Sequence, residues 1–250
     1  MRSVSRITAA VATTMAAAAL VPPASAVTPG EALLTVGGTR SLDCTAGPVL
    51  SVERPGQPTA RIMLTAGHCA TDDAGWQADA VYSSSGARVG ALDKVKLAAN
   101  TPGETLAGFI RMTTGADWAT VLVDDSASGA VIDTPDGDVE LTGVRDYRPT
   151  GLKEVSFDNA GDPICKIGLT TGHTCGTQLF RTYNSVYSSG LGFAPGDSGG
   201  INYDPRTGEI IGITVENFGA VGRTQTADAI LQDAYGLADG EVATAAQVAH

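Results

Sequence analysis

Short apolar runs, each closed by glycine, proline, asparagine or aspartate, are the feature that most limits how this chain can fold. These runs include RIMLTAG from residue 61, ATVLVDD from 119, VELTGV from 139, INYD from 201 and EIIGITV from 209. Brief runs rich in valine, isoleucine and threonine are typical of strands, and 31 glycines supply breaks between them. The segment INYDPRTGEIIGITV predicts a hairpin with its turn at DPRTG. We therefore expect an all-β body.

One segment near the carboxyl terminus has a helical period instead. In TADAILQDAYGLAD, residues 226–239, the apolar side chains are Ala227, Ile230, Leu231 and Ala234. This spacing predicts an amphipathic helix, and Gly236 stands where a left-handed residue would end it. The sequence thus predicts strands followed by one terminal helix.

The amino terminus has the pattern of a secretory signal peptide. MRSVSR carries two arginines and precedes the apolar stretch ITAAVATTMAAAALV, and PPASA then offers small residues up to Ala26. This stretch is shorter than the roughly 20 residues that span a bilayer. We expect cleavage after Ala26, which removes residues 1–26 and leaves a soluble, secreted, extracellular protein that contacts no membrane.

The charge balance argues against a nucleic-acid partner. The formal net charge is -11, and it becomes about -13 when Arg2 and Arg6 leave with the signal peptide. A phosphate backbone would repel such a surface. We interpret the acidity as an aid to solubility outside the cell.

The four cysteines predict two disulfides, because their number is even and the chain is predicted to be exported. Three pairings are possible, and pairing by sequence neighbour would close two modest loops. A zinc site would need ligand clusters such as CxxC, which this spacing lacks, so we expect no metal. The cysteines are Cys44, Cys69, Cys165 and Cys175.

The stretch APGDSGGI around Ser198 is the strongest candidate for chemistry. An aliphatic hydroxyl becomes a nucleophile only with a base beside it and hydrogen-bond donors aimed at the developing oxyanion. Gly196 and Gly199 allow a tight turn that directs successive N–H groups at one point. The alternative is an ordinary surface turn, since glycine, aspartate and serine are common turn residues.

Three histidines could supply the base. His250 is the terminal residue, where we expect fraying, and His173 in TTGHTCG has the setting of a polar loop residue. His68 in LTAGHCA follows an apolar run and adjoins Cys69, so a disulfide there would hold its backbone. A histidine beside a cysteine is more often structural, but this context favours His68 as the base.

A neutral imidazole that accepts a proton needs its other nitrogen oriented, usually by a buried carboxylate. Asp117 in TTGADWATVLV directly precedes Trp118 and a strongly apolar run, so it is the acid that we expect to be buried. Pairing with an imidazole would offset the cost of burying it. The predicted order is His68, Asp117, Ser198.

LTAGHC and GDSGG, in this order, resemble the motifs of the chymotrypsin family of serine proteases. The closer resemblance is to the secreted actinobacterial branch, the streptogrisin and alpha-lytic type. CKIGLTTGHTCGT is similar to that branch's CRSGRTTGxxCGT, PGDSGG carries its proline, and ILQDAYGL resembles its closing helix. The resemblance extends in blocks over roughly residues 36 to 237.

The resemblance implies a fold of two antiparallel six-stranded β-barrels with a C-terminal helix. The first barrel would take residues 27–148, and the second barrel with the helix would take residues 149–250. The active site would lie in the cleft between them, in a monomer. One disulfide would hold each barrel, Cys44 to Cys69 in the first and Cys165 to Cys175 in the second.

The resemblance also implies roles for the residues of the site. Ser198 would attack the scissile carbonyl, His68 would act as base and then as acid, and Asp117 would hold the imidazole. The N–H groups of Gly196 and Ser198 would form the oxyanion hole.

Asp197 would not react but would form a buried ion pair that shapes the serine loop. Its partner in the branch is an arginine, and this chain has Lys166 there, which supplies the charge without the planar fork.

The chain departs from the family pattern at one wall of the pocket. It reads GITVENFG where relatives read GITSGG, which puts Glu216 and Asn217 in place of glycines. The serine that supports the catalytic aspartate is also missing, and Thr214 is the nearest hydroxyl.

The predicted function is that of a secreted serine endopeptidase that hydrolyses protein or peptide substrates through an acyl-enzyme and needs no cofactor. Two alternatives remain open. A non-catalytic relative could keep the scaffold as a binding or adhesion module, and an ester-cleaving acyl hydrolase could use the same residues.

Overall fold

The computed structural model describes residues 27–72, 74–98, 115–125, 127–147 and 155–250. The predicted signal peptide at 1–26 and the predicted barrel boundary at 148 and 149 lie outside these residues.

The described residues form mostly β-structure. The strands, in chain order, are β1 (Ala32–Gly37), β2 (Arg40–Thr45), β3 (Val49–Val52), β4 (Ala60–Thr65), β5 (Ala80–Ser83), β6 (Arg88–Leu97), β7 (Asp117–Val123), β8 (Val131–Ile132), β9 (Val139–Glu140), β10 (Gly143–Val144), β11 (Pro163–Gly168), β12 (Gly172–Arg181), β13 (Ser185–Ser189), β14 (Ile201–Tyr203), β15 (Glu209–Phe218), β16 (Val221–Thr226) and β17 (Ala246–Val248). The helices are a 3-10 turn at Gly67–Cys69, α1 (Ala227–Tyr235) and α2 (Val242–Ala245).

The first sheet has eight antiparallel strands in the order β17-β3-β4-β7-β6-β5-β1-β2. Alternate side chains of these strands enclose an apolar core that includes Leu33, Val49, Met63, Val81 and Val121. This sheet has two more strands than the six predicted, and one of them, β17, comes from the chain's last residues.

The second sheet closes into a six-stranded barrel. Its strands follow the order β15-β14-β11-β12-β13-β16, and β16 pairs back onto β15. A register shift between Thr214 and Glu216 falls within β15, and such bulges sharpen the bend of a strand. The short strand β10 adds to β15 in parallel. The predicted all-β class with two antiparallel barrels and a C-terminal helix is confirmed, although the first sheet has eight strands instead of six.

The predicted hairpin and helix are both present. β14 and β15 pair antiparallel, with Ile201 opposite Ile213. Helix α1 ends at Gly236, whose φ of 70° is left-handed and whose N–H donates to the carbonyl of Gln232. Its buried face packs into a core shared by both sheets, to which β7 contributes Trp118. No helix within the described ranges is both long and apolar enough to cross a membrane.

Two disulfides join the cysteines by sequence neighbour. Cys44 of β2 bonds Cys69 of the 3-10 turn, and Cys165 of β11 bonds Cys175, its register partner on β12. The first bridge fixes the turn that follows β4.

Candidate active site

His68 and Asp117 lie together because β4 and β7 are paired antiparallel. Thr65, at the end of β4, lies opposite Ala119, so the turn after β4 meets the start of β7. A Cβ on Gly67 would lie 2.6 Å from a main-chain oxygen of β6 and 2.8 Å from the main-chain nitrogen of Trp118. The glycine therefore permits the close approach of the turn that carries His68.

The Asp117 carboxylate receives two hydrogen bonds from His68. Its Oδ2 lies 2.8 Å from His68 Nδ1, and its Oδ1 accepts the His68 main-chain N–H at 2.9 Å. The carboxylate thus fixes both the ring and the backbone of the histidine. With Nδ1 bound to Asp117, Nε2 is the ring nitrogen left to accept a proton.

The interaction between His68 and Asp117 shifts their pKa values more than burial does. Burial lowers the pKa of His68, but the charge and hydrogen bond of Asp117 raise it more, with a further contribution from Glu216, so the net pKa lies above its ordinary value. Burial raises the pKa of Asp117, but His68 and then the more distant Arg223 lower it more, so the carboxylate stays ionised.

Polar residues of β16 lie behind Asp117. The side-chain oxygen of Gln225 accepts the Asp117 N–H at 3.2 Å, and its amide donates to the carbonyl of Asn184 at 2.9 Å. Thr214, the nearest hydroxyl in the sequence, instead accepts a hydrogen bond from Asn202 at 2.8 Å and makes none to Asp117 within the described residues. The support of Asp117 therefore comes from β16, which no sequence motif indicated.

Ser198 lies in the loop between β13 and β14, next to the histidine turn. Its carbonyl accepts the N–H of Thr45 at 2.8 Å and lies 3.9 Å from the sulfur of Cys69, the neighbour of His68. Its hydroxyl makes no hydrogen bond to any residue that the structure describes. The structure thus pairs His68 with Asp117, and the bond between Ser198 and His68 is not formed. Such catalytic hydrogen bonds are often long in proteins without substrate.

Two main-chain amides in the serine loop remain available. The N–H groups of Asp197, Gly199 and Gly200 donate to main-chain carbonyls at 2.8 to 3.0 Å. Those of Gly196 and Ser198 have no acceptor within the described residues. Gly196 has a φ of 99°, which favours glycine, and a Cβ there would lie 2.5 Å from a threonine hydroxyl. These two amides are the ones to which the family resemblance gives the role of an oxyanion hole.

Asp197 is buried beneath this loop, and both of its carboxylate oxygens accept hydrogen bonds. Oδ1 accepts the N–H groups of Thr170 and Thr171 at 2.8 and 3.0 Å. Oδ2 accepts the Thr171 hydroxyl at 2.7 Å and the Ala194 N–H at 3.0 Å, and Lys166 Nζ lies 3.3 Å away. The structure thus brings Lys166 and Asp197 together, and it adds two threonines that sequence reasoning missed.

Burial and pairing act in opposite directions on this ion pair, whose side chains are both inaccessible to solvent. Burial lowers the pKa of Lys166, which the charge of Asp197 offsets only in part. Burial raises the pKa of Asp197, but the hydrogen bonds from Thr171 and Ala194 and the lysine charge lower it further, so it stays ionised. Lys166 also donates to the Thr171 hydroxyl, which thereby bridges the two charges.

A cavity of about 280 Å³ opens beside Ser198. One wall comes from the bulged part of β15 and the other from the segment that precedes the serine. The lining residues are Phe193, Ala194, Pro195, Ser198, Thr214, Val215, Glu216 and Asn217. The Phe193 ring covers Gly222, where a Cβ would lie 1.4 Å from a ring carbon, so the glycine leaves the room that this ring occupies.

One cluster outside the site has metal-ligand chemistry by composition. The side-chain ligand atoms of Cys165, His173 and Cys175 lie within 4.8 Å of one another. The two cysteines are joined in a disulfide, so they offer no thiolate, and His173 Nε2 lies 3.0 Å from the Tyr203 hydroxyl. This cluster is therefore a disulfide with a neighbouring polar pair.

No family model and no curated protein sequence matches the chain. Solved structures do match. Nocardiopsis protease (NAPase) has a TM-score of 0.59 with 18% identity, over 90% of this chain and all of that one. Protease A of Thermobifida fusca has a TM-score of 0.57 with 18% identity, over 90% and 98%. A glutamic acid specific serine protease has a TM-score of 0.55 with 21% identity, over 89% and 100%. At identities this low, the similarity shows only the fold. The chain has the chymotrypsin-like double-barrel fold, which it shares with these actinobacterial serine proteases.

Proposed function

We propose that the protein is a secreted serine endopeptidase. His68 and Asp117 from the first sheet and Ser198 from the second would form its catalytic triad. The single observation that carries this proposal is the double hydrogen bond between Asp117 and His68, which leaves Nε2 as the ring nitrogen that can accept a proton. The fold shared with serine proteases supports the same conclusion.

The reaction would begin when Ser198 Oγ attacks the carbonyl carbon of the scissile peptide bond. His68 Nε2 would take the hydroxyl proton, and Asp117 would stabilise the imidazolium that results. The carbonyl oxygen would gain negative charge and accept hydrogen bonds from the free N–H groups of Gly196 and Ser198. His68 would then protonate the leaving amine, and water would hydrolyse the acyl-enzyme by the same steps in reverse roles.

Labelling with a fluorophosphonate reagent, followed by peptide mapping, tests this proposal. We expect one adduct per molecule at Ser198, and no adduct in Ser198→Ala or His68→Ala. His173→Ala is the matched control, because this histidine lies outside the site, and it should label normally. Digestion of casein should follow the same pattern. Folded protein that neither labels nor digests casein would refute the proposal.

A binding or adhesion module is the second candidate, and one observation favours it. The Ser198 hydroxyl forms no hydrogen bond with His68 in the described residues. A module of this kind would stay unlabelled while fully folded. An acyl hydrolase would label at Ser198 and cleave esters but not casein. The labelling and digestion experiments therefore separate the three functions.

Export, protein or peptide substrates and a monomeric state belong to the same proposal. The two disulfides support an oxidising compartment. Amino-terminal sequencing of the exported protein should find Val27 first. Val27 is fully buried, and its carbonyl accepts the Ser128 N–H at 3.3 Å, so the mature chain would keep its attachment to the first sheet.

A further inference from the structure

The cavity beside Ser198 has one charged wall residue. Among its lining side chains only Glu216 is ionisable as an acid or a base, and the others are apolar or neutral polar groups. Glu216 lies just after the register shift in β15, and its side chain keeps 28% of its exposure. Glu216 therefore places a partly desolvated carboxylate among the residues that line the cavity beside the serine.

Arg223 of β16 lies within ion-pair distance of Glu216 but does not donate a hydrogen bond to its carboxylate. The closest approach of the two charged groups is 3.7 Å, beyond hydrogen-bonding distance. Arg223 directs hydrogen bonds elsewhere, to the Ser185 hydroxyl at 3.0 Å, to Gln225 at 3.3 Å and to the Gly115 carbonyl. These acceptors are neutral, and the Glu216 carboxylate accepts no hydrogen bond from a residue that the structure describes.

The balance of charges around the catalytic pair is negative. Asp117 and Glu216 each carry one negative charge, Arg223 carries one positive charge, and His68 is neutral when it acts as a base. Burial, with the charge of Asp117, raises the pKa of Glu216, and Arg223 and His68 offset this only in part, so the four groups interact electrostatically. The formal charges of these four groups sum to -1, and the partial burial of Glu216 beside the cavity strengthens its attraction for a cation.

The other nearby cation is already paired. Lys166 Nζ lies 5.8 Å from the centroid of the Phe193 ring, and its charge is balanced by Asp197 at 3.3 Å. Because Lys166 is paired in this way, it offers no uncompensated positive charge that would attract an anionic side chain into the cavity.

We propose that Glu216 is a specificity-determining residue, which makes the cavity select a lysine or arginine side chain on the residue whose carbonyl Ser198 attacks. This inference rests on the proposed endopeptidase function. The cavity adjoins Ser198, so the side chain nearest the scissile carbonyl is the one that enters it. Its volume of about 280 Å³ lies just below the range of small-molecule sites, about 300 to 1,000 Å³, and suits one long side chain.

Two peptides that differ only by the charge of one side chain provide the test. They are identical fluorogenic substrates with either lysine or Nε-acetyl-lysine before the cleaved bond, and a third has glutamate there. We expect kcat/KM for lysine to exceed that for acetyl-lysine by about 10- to 100-fold, the range of a hydrogen bond to a charged group, with glutamate the poorest. This comparison needs no variant, so it does not depend on the folding of a mutant.

Glu216→Gln then assigns the effect to this carboxylate. The lysine to acetyl-lysine ratio should fall to within about threefold of unity, because the lysine peptide loses its charged partner. Glu140→Gln, which neutralises an exposed carboxylate of β9, is the matched control and should keep the wild-type ratio. Fluorophosphonate titration of Ser198 normalises each variant to its active fraction.

The outcomes separate this inference from the proposed function. Suppose that the protein is labelled and active but cleaves acetyl-lysine or glutamate peptides with the same kcat/KM as lysine peptides. This result would overturn the cationic preference and leave the proposed endopeptidase function intact. An unchanged lysine preference in Glu216→Gln would overturn the role of Glu216. Absence of both labelling and cleavage would overturn the function and the inference with it.

Discussion

Asp117 and Asp197 are two buried carboxylates of the candidate site, and they are held in different ways. Asp117 receives both of its side-chain hydrogen bonds from one residue, His68, which can gain or lose a proton. Asp197 receives four hydrogen bonds from threonines and an alanine N–H and also faces a lysine. A carboxylate coupled to a single titratable partner can take part in proton transfer, whereas one saturated by fixed donors shapes a loop.

The largest expected effect is on catalysis at the first carboxylate. Asp117→Asn should lower kcat by about 10,000-fold, because the neutral amide no longer holds the imidazole in the required tautomer or stabilises its charge. Thermal unfolding should change little, since the substitution preserves shape. Active-site-normalised kinetics and calorimetry measure the two effects, and a loss of activity below tenfold would remove Asp117 from the triad.

The second carboxylate should show the reverse balance, with stability affected most. Asp197→Ala leaves the Lys166 ammonium buried without its partner, which costs about 3 to 5 kcal/mol of the free energy of unfolding. Urea denaturation measures this cost. A destabilisation below about 1 kcal/mol would mean that the ion pair does not hold the serine loop.

Removing the lysine should cost less than removing the aspartate. Lys166→Met leaves Asp197 with its four other donors, so we expect a loss of about 1 to 3 kcal/mol and a modest fall in kcat/KM. Lys166→Arg keeps the charge and serves as the control. Unchanged activity and unchanged loop protection in hydrogen exchange for Lys166→Met would show that the lysine does not pin the loop.

The pH dependence of kcat/KM tests the coupling within the first pair. The pKa of His68 lies above its ordinary value of 6.5, because Asp117 outweighs the effect of burial. Only the neutral imidazole accepts the serine proton, so kcat/KM should rise with pH through a midpoint above 6.5 and fall as the pH drops below it. The residual activity of Asp117→Asn should have a lower midpoint. A flat profile from about pH 5 to 9 would exclude His68 as the base.

The smallest expected effect concerns the hydroxyl that bridges the second pair. Thr171→Val removes the donor to Asp197 and the acceptor of Lys166 while keeping the main-chain N–H contact. We expect a loss of about 1 to 2 kcal/mol, or a fall in Tm of a few degrees, about 2 to 4 °C per kcal/mol in a chain of this size. A Tm equal to that of the wild type would show that the bridge contributes nothing.

The sequence predicted the elements that depend on local pattern. The apolar period of α1 and the glycine that ends it, the hairpin of β14 and β15, and the burial of Asp117 before an apolar strand all follow from short segments. Each of these rests on neighbours within about ten residues, where periodicity and turn chemistry act.

The remainder depends on contacts between distant parts of the chain. The pairing of β17 with β3 could not be predicted, because the two strands lie far apart in the sequence. The expectation that His250 frays is wrong, since the His250 carbonyl accepts a hydrogen bond from Arg61 at 2.7 Å. Arg223 and Gln225 are buried. The polar sequence of their strand would be equally compatible with exposure to solvent. Their hydrogen-bond partners lie more than 30 residues away in the sequence: Arg223 donates to Ser185, and Gln225 accepts from Asp117.

The most direct measurement of the convergence of Ser198, His68 and Asp117 is a crystal structure with a lysine-like peptidyl boronate. Boron should bond to Ser198 Oγ, and one boronate oxygen should lie about 2.7 to 3.1 Å from the amides of Gly196 and Ser198. The His68 ring should remain paired with Asp117 and contact the other oxygen through Nε2. A boronate that leaves Ser198 unmodified, or a His68 ring that lies beyond hydrogen-bonding reach of the adduct, would contradict the triad.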